Sequence, residues 1–549
     1  MLKFNQARKY VADFETSVYT GQETTEVWAA ASVPCWSEDV SIFDCIDNFL
    51  NFHFRKNENQ IIYFHNLKFD GQFILDFLLK NEFKISGTDV TINDKVDDFE
   101  YEKQYKKMRN KTIYPLISDI GQWYMVVVKV NNHIIEFRDS LKLLPFSVDV
   151  IGKGFKTKHR KLSIEYTGER HAHGFISGAE KEYIKNDVLV VKEALEQLFA
   201  ENHTELTIGS CCIKEFKSIC RNTTDTSNPL ALDTVQYKDV FPDLFEIKID
   251  ADLYGSENAD EYIRKSYRGG WCYVVPEKAN KRFKTGTTAD VNSLYPSMMH
   301  SQSGNKFPVG KPTFWTGNFI PDEAQKDSNY FFVRIRTRFY IKENYLPFIQ
   351  IKGSFFYKSN ECLKSSDIVM KDNKKLAKYY KDLDGNILPS TVTMTLTETD
   401  YRLIIEHYNL EDFEILDGCY FRAYVGIFDD YINKYKEIKM TNKGAKRELA
   451  KLFLNNLYGK MASNTDSSFK LAYQKEDKTI GFMPVLENEK EPGYIPVGSA
   501  ITSYARNFTI RAAQKNYHGV DEPGFIYADT DSIHCDLSPE EIKGINVSD

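Results

Sequence analysis

The chain has 549 residues, of which 42% are hydrophobic and 14% aromatic, so three or four compact units with substantial cores are expected. A formal net charge of −7 excludes a generic basic coat for nucleic acid. Nine cysteines with no CxxC pair and no Cys/His ligand spacing exclude a disulfide framework, argue against structural zinc, and read as reduced thiols in a cytosol-like compartment.

Local basic clusters do occur: Lys106, Lys107, Arg109 and Lys111, then Lys156 to Lys161, then Lys443, Lys446, Arg447 and Lys451. Each permits a polyanion partner, and each is also what a solvated face looks like. The start, MLKFNQARKYVADFETS, has no apolar leader, and no apolar run reaches membrane-spanning length, so a soluble, unexported protein is expected.

In chain order, YVADF, IIYFHN and WYMVVVKV read as short strands among helical patterns, an α/β unit over residues 1–195. SGAEKEYIKNDVLVVKEALEQLF closes it as a helix, with Ser177 and Glu180 at capping-box spacing and Val188, Val191, Leu195 and Leu198 on one stripe. Mixed segments follow, with a glycine pair in YRGGWCYVV that an ordinary turn would also explain, then the strand-like TTADVNSLYPSMM. Residues 302–426 are aromatic and strand-rich. Two helical patterns come next, IFDDYINKYKEIKM and KGAKRELAKLFLNNLYGKMASN, and then FKLAYQKEDKTIGFMPV alternates about a polar turn as a hairpin.

Acidic residues fall into two sets. Asp13 and Glu15 in VADFETS project from one face of a strand, Asp70 follows another apolar strand, and Asp187 lies one helical turn after Tyr183. Four acids are the complement that holds two divalent cations for in-line attack of water on a phosphodiester. A lone DxE means little; DxE, NxxxD and YxxxD in one α/β unit mean more.

The second set is Asp290 in DVNSLYPSMM with Asp529 and Asp531 in YADTDS. GFIY and SIHC are expected to pair as a hairpin with the acids at its tight turn, partly buried against a sheet. Two carboxylates ~4 Å apart repel by about 4 kcal/mol at an effective dielectric near 20, so such a cluster calls for Mg²⁺. On the helix between these acids, Arg447, Lys451, Asn455 and Tyr458 share one face while Leu449, Leu452, Phe453 and Leu457 take the other. The polar face suits a nucleoside triphosphate; a merely wet face is the plain alternative.

Together these motifs resemble the family B DNA polymerases, in particular their protein-primed bacteriophage branch. DVNSLYPSMM, KLFLNNLYG and YADTDS match the polymerase signatures, DFET, NLKFD and YIKND the proofreading ones, and YRGG the element linking the two activities. The resemblance implies an α+β multidomain protein: an RNase H-like 3′→5′ exonuclease (1–195), the first part of a right-hand polymerase palm (196–301), a first insertion of the terminal-protein-region type (302–426), fingers (427–462), a second, hairpin insertion (463–494) and the rest of the palm (495–549). In relatives the insertions encircle template and product, which implies strand displacement.

The resemblance also implies roles. Asp290, the Val291 backbone and Asp529 would bind two Mg²⁺, with Mn²⁺ as an alternative, beside Asp531. Tyr295 would sit beneath the incoming sugar, Lys451 and Lys439 would hold the triphosphate, and Asn455 and Tyr458 would line the nucleotide pocket. In the exonuclease, Asp13, Glu15, Asp70 and Asp187 would ligate metal while Tyr183 and Lys161 position water and phosphate. Thr16, Tyr63, His65, Asn66, Phe69, Phe73, Ser140 and Leu141 would hold a frayed single strand, and Tyr267, Arg268, Gly269, Gly270 and Arg506 would contact DNA.

The implied partners are primer-template DNA, dNTPs and a terminal protein that supplies the priming hydroxyl, with no membrane. The chain would act as a monomer or a heterodimer with that protein, in the host cytoplasm of a bacteriophage or linear genetic element. Asn456 stands where relatives usually carry Ser. Eighteen residues follow Asp531, so the primer-gripping Lys-x-Tyr element and the thumb are expected to be absent. Two competing readings are a remnant acting only as a 3′→5′ exonuclease and a non-catalytic replication scaffold.

Overall fold

A computed structural model describes residues 2–85, 108–164, 168–222, 237–350, 362, 369–371, 375–377, 391–464, 467–475, 477, 479–487 and 492–544. Lys106 and Lys107 of the first basic cluster lie outside the described residues, as does all of IKGSFFYKS (351–359) in the strand-rich stretch. The chain divides into two units: residues 1–214 with 436–453 and 464–491, and residues 215–435 with 454–463 and 492–549.

The first unit is built on an eight-stranded sheet. Its elements are β1 (Arg8–Thr16), β2 (Val27–Pro34), β3 (Ser41–Phe43), α1 (Ile46–Phe54), β4 (Gln60–Phe64), α2 (Leu67–Lys80), β5 (Lys84–Ile85), β6 (Thr112–Ile117), β7 (Trp123–Val130), β8 (His133–Asp139), α3 (Val148–Gly154) and α4 (Gly178–Ala200). The strand order is β3-β2-β1-β4-β8-β7-β6-β5, with β1, β4 and β8 parallel. Alternation along β1 splits its side chains: Tyr10, Ala12 and Phe14 enter a core with Ile62, Phe64, Ile74 and Leu75, while Asp13 and Glu15 turn to the face that α4 covers. The predicted capping box starts α4: Ser177 Oγ accepts from Glu180 N (3.3 Å) and Glu180 Oε2 accepts from Ser177 N (2.8 Å). The predicted hairpin forms between Ser467–Gln474 and Ile480–Glu487, and its Ala472 joins the same core.

In the second unit, β9 (Cys272–Val274) and β10 (Thr287–Asp290) flank the hairpin strands Phe525–Asp529 and Ser532–Cys535 in a four-stranded antiparallel sheet, ordered β10, Ser532–Cys535, Phe525–Asp529, β9. The strand-rich stretch supplies β11 (Lys306–Thr316), β12 (Asn329–Ile341), the short pair β13 (Val369–Lys371) and β14 (Lys375–Ala377), β15 (Val392–Thr397) and β16 (Tyr408–Val425). Of these, β11, β16, β12 and β15 form a second antiparallel sheet in that order. The buried helix Ile495–Lys515 packs on both sheets, and Trp271, Phe331, Val333, Leu396, Ile510, Phe525 and Ile533 share one core.

Both helical patterns expected after residue 426 form, as Asp429–Thr441 and Ala445–Met461. On the second, Leu449, Phe453 and Leu457 are buried while Arg447, Lys451 and Asn455 are exposed, as the face reading expects. Among the described residues, no helix is long and apolar enough to cross a membrane.

Candidate active sites

In the first unit, one ligand atom each from Asp13, Glu15 and Asp187 lies within 4.8 Å of the others. The strand sets the first two acids side by side, and α4 brings the third. Asp70, in the first turn of α2 and 2% exposed, is close enough to repel both Asp13 and Glu15. Burial, then Asp70, Glu15 and Asp187, pushes the Asp13 carboxyl well above the ordinary carboxylate range, against the pull of Lys161. Burial raises Asp70 likewise, with Glu15 adding to it. Asp187 is raised by burial and eased by its 2.8 Å bond from Lys161 Nζ. That ammonium also lies 5.5 Å from the centre of the Tyr183 ring.

The Oδ1 atoms of Asp70 and Asp187 are buried without a hydrogen-bond partner. Orphaned anionic oxygens in a crowded group are costly, and an all-oxygen donor set of this kind suits a hard divalent cation. The residues present therefore fit the metal that the motifs imply.

The strand-binding candidates cluster near this group with one exception. His65 Nδ1 lies 3.0 Å from Ser140 Oγ, and its Nε2 lies 2.7 Å from the Phe146 carbonyl. Burial holds His65 below its ordinary range, which favours the neutral ring. Phe69, 46% exposed, meets Phe73 edge to face at 5.7 Å and offers a flat apolar surface. Asn66, at φ 76°, precedes α2, and Thr16 ends β1. Tyr63 does not join them. It pairs with Val11, is 1% exposed, and packs on Phe199, twelve residues along α4 from Asp187 and so about 18 Å up the helix axis.

Sequence reasoning passed over Asp139. Its Oδ1 accepts from Asn66 N (3.1 Å), Leu67 N (3.3 Å) and Leu141 N (3.0 Å), tying together the two loops that carry His65, Asn66, Ser140 and Leu141. A carboxylate at the end of an apolar strand, just before Ser140, was the available signal. The expectation of no Cys/His ligand set needs qualifying, because Asp44, Cys45 and His173 also lie within 4.8 Å of one another. Asp44 and Cys45 both already bond Asn48, and His173 is exposed.

In the second unit, strand register aligns Asp290, Ser532, Asp529 and Cys272 in one row across four strands. The hairpin turn is Thr530–Asp531, with Thr530 at φ 56°, a conformation that a β-branched residue adopts only under strain. Its backbone is held by Thr530 N to Trp271 O (2.9 Å) and by Thr509 Oγ1 to Thr530 O (2.8 Å). Gly270 packs against the Thr530 side chain so closely that a Cβ there would clash. Val291 N donates to Asp531 O at 2.8 Å, which joins Asp290's strand end to the turn. Burial, then Asp290, raises the Asp531 carboxyl. The expected partial burial holds for Asp531 alone. Asp290 and Asp529 are exposed, because both stand at strand ends where the sheet stops covering them.

Tyr295 and Tyr458 stack with ring centres 4.0 Å apart and planes 24° apart, and Tyr267 lies close enough to influence both. Lys439, Arg447 and Lys451 belong to the first unit. Burial, then Arg447 and Lys451, lowers the Lys439 ammonium, a crowding of cations that a polyanion would relieve.

Two arginines implied as DNA contacts turn inward. Arg506 is 1% exposed; its guanidinium binds Asp400 Oδ2 (2.5 Å) and the carbonyls of Arg268 (2.5 Å) and Gly269 (2.9 Å). Arg268 donates to the carbonyls of Ser266 and Thr395, both at 3.1 Å. Arg506 is thus a buried brace for the YRGG backbone, and its one nitrogen without a partner, Nε, is itself buried. The motif's glycines and Tyr267 remain nearer the surface.

Comparison with known proteins agrees with this architecture. The family described as DNA polymerase type B, organellar and viral matches residues 52–182 and 175–546. The DNA polymerases of Bacillus phage Nf and Bacillus phage phi29 are each 36% identical to the chain, covering 98% and 99% of it and 82% of their own lengths. That of Streptococcus phage Cp-1 is 29% identical over 98% of the chain and 84% of its own length. Among solved structures, phi29 DNA polymerase complexed with primer-template DNA and incoming nucleotide superposes with a TM-score of 0.77 at 34% identity, covering 99% of this chain and 81% of that one.

Likeness over nearly the whole length makes this a DNA-directed DNA polymerase, an enzyme class that depends on divalent metal, with an exonuclease domain followed by palm and fingers. The chain belongs to the DNA polymerase type B family of organelles and viruses, in its protein-primed, phi29-like branch.

Proposed function

We propose that this polymerase extends a primer at the Asp290–Asp529 row and trims it 3′→5′ at the Asp13–Glu15–Asp70–Asp187 group, with Mg²⁺ in both. The observation that carries this reading is the presence of two carboxylate groups, one in each unit, each gathered from segments distant in sequence. Bound Mg²⁺ would supply charge neutralisation at the attacking and leaving oxygens of an in-line phosphoryl transfer. Asp290, the Val291 carbonyl and Asp529 would hold it in the palm, and the four acids of the first unit would hold it in the exonuclease.

The protein's own side chains do the rest. Stacked Tyr295 and Tyr458 make a rigid aromatic wall against which an incoming deoxyribose fits and a 2′-hydroxyl meets bulk. Lys451 and Lys439 would meet the triphosphate, with Asn455 beside them. In the exonuclease, Lys161, held by Asp187, orients the scissile phosphate, and Tyr183 directs the attacking water. Exposed Phe69, backed by half-buried Phe73, stacks the bases of a frayed strand, and His65, Asn66, Ser140 and Leu141 hold its backbone.

Synthesis would begin on a hydroxyl of a terminal protein and displace the non-template strand, with residues 302–426 and 463–494 as the insertions serving those tasks. The setting would be the cytoplasm of a phage-infected host. The test is a separation of function: Asp529→Ala abolishes primer extension and leaves single-strand degradation, whereas Asp13→Ala does the reverse. Equal loss of both activities in each variant would refute the two-site reading.

A further inference from the structure

Cys272 has no counterpart among the roles assigned above, yet it closes the row that carries the palm acids. Direct pairing of Asp529 with Cys272 puts both side chains on one face of the sheet. Cys272 Sγ donates to Asp529 Oδ1 at 3.1 Å, and Thr530 Oγ1 approaches the same oxygen at 3.4 Å.

The two partners differ in rigidity. Asp529 is exposed beside a strained turn. Cys272 follows fully buried Trp271, whose ring stacks on Phe525 at 5.8 Å and whose Nε1 donates to Pro347 O at 3.1 Å. An exposed carboxylate at a strand end samples several rotamers, and a donor fixed to the neighbouring strand removes most of them.

We infer that Cys272 is a positioning residue of the polymerase site, its thiol holding the Asp529 carboxylate in the orientation a catalytic cation needs. The inference rests on the proposed role of Asp529. It requires a small donor at position 272 and no particular sulfur chemistry, so serine should substitute and alanine should not. A hydroxyl sits closer to its Cβ than a thiol does and prefers a shorter hydrogen bond, so Cys272→Ser keeps a weakened version of the contact, reached by a small shift of the exposed Asp529 carboxylate.

The experiment compares Cys272→Ala, Cys272→Ser and Asp529→Ala in the full chain. Expected for Cys272→Ala is a drop of about tenfold in kcat for nucleotide addition and a several-fold higher Mg²⁺ requirement, the usual scale for losing a hydrogen bond to a charged group. The KM for dNTP and the single-strand degradation should not change, and Cys272→Ser should recover most of the loss.

Two further readouts stand apart from turnover. In an Asp13→Ala background, Mn²⁺ titration followed by electron paramagnetic resonance should show weaker binding in Cys272→Ala than with Cys272 intact. The wild-type minus Cys272→Ser infrared difference should show a hydrogen-bonded S–H stretch that moves to the free position in Asp529→Ala. Cys272→Ala with unaltered metal dependence and unaltered Mn²⁺ binding, or Cys272→Ser as impaired as Cys272→Ala, overturns the inference. Should Asp529→Ala extend primers normally, the site reading itself fails with it.

Discussion

The acids of the first unit and those of the second differ first in how much water reaches them. Glu15, Asp70 and Asp187 are each less than a tenth exposed, whereas Asp290 and Asp529 stand open at strand ends. The buried group carries orphaned oxygens and carboxyls forced far above their usual range; in the second unit the Asp531 carboxyl is raised, by burial and then by Asp290. Like charges in a dry site need a counter-cation for the fold's own sake, while like charges in water need one only for chemistry. Metal should therefore matter to the stability of the first unit and chiefly to the activity of the second.

The largest effect expected concerns charge buried away from both sites. Replacing Arg506 by Met strands Asp400 inside the second unit and should cost about 3–5 kcal/mol, read as a fall in the denaturant midpoint of that unit. A residue that served only to grip DNA would weaken binding and leave the midpoint in place. Next, Lys161→Met should slow single-strand degradation about 100-fold and leave primer extension within error, since its bond to Asp187 lies wholly in the first unit. Loss of extension in that variant would erase the distinction between the sites.

The smallest effect is the most diagnostic of the contrast. Asp13 and Asp70 have native carboxyls raised above their unfolded values, so their penalty is absent below about pH 4, where both states are protonated. As pH rises toward the native value the unfolded chain ionises first, and the cation-free protein loses stability. Added Mg²⁺ should therefore raise Tm by several degrees near pH ~8 and by little near pH ~5. Asp70→Asn should raise the metal-free Tm at the higher pH alone, whereas Asp529→Asn should change neither. A Tm response to Mg²⁺ that is independent of pH would contradict this assignment.

Much of this was legible in the sequence because local rules carried it. The DxE on one strand face, the YxxxD turn, the Ser177–Glu180 cap and the DTD hairpin each depend on residues within a few positions of one another. The amphipathic reading of Ala445–Met461 also held, through 3.6-residue periodicity.

What escaped was set by partners far away. Asp139 has meaning only because residues 66, 67 and 141 present their amides to one oxygen. Arg506 is a cation that the resemblance implies as a DNA contact, and nothing local says that Asp400, over a hundred residues earlier, will bury it. Ile495–Lys515 is buried around most of its circumference, so it shows no apolar stripe to read. Glu398–His407 hid inside a strand-rich stretch. The exposure of Asp290 and Asp529 likewise depends on where the sheet ends.

The central claim is that two separate cation cradles exist, one in each unit. Crystals soaked in Mn²⁺ and measured for anomalous scattering test it most directly. Peaks should stand between Asp13, Glu15 and Asp187 and, independently, beside Asp290 and Asp529. A peak in the first group with none along the Asp290–Asp529 row, in crystals that also hold primer-template DNA and a nucleotide, would contradict it.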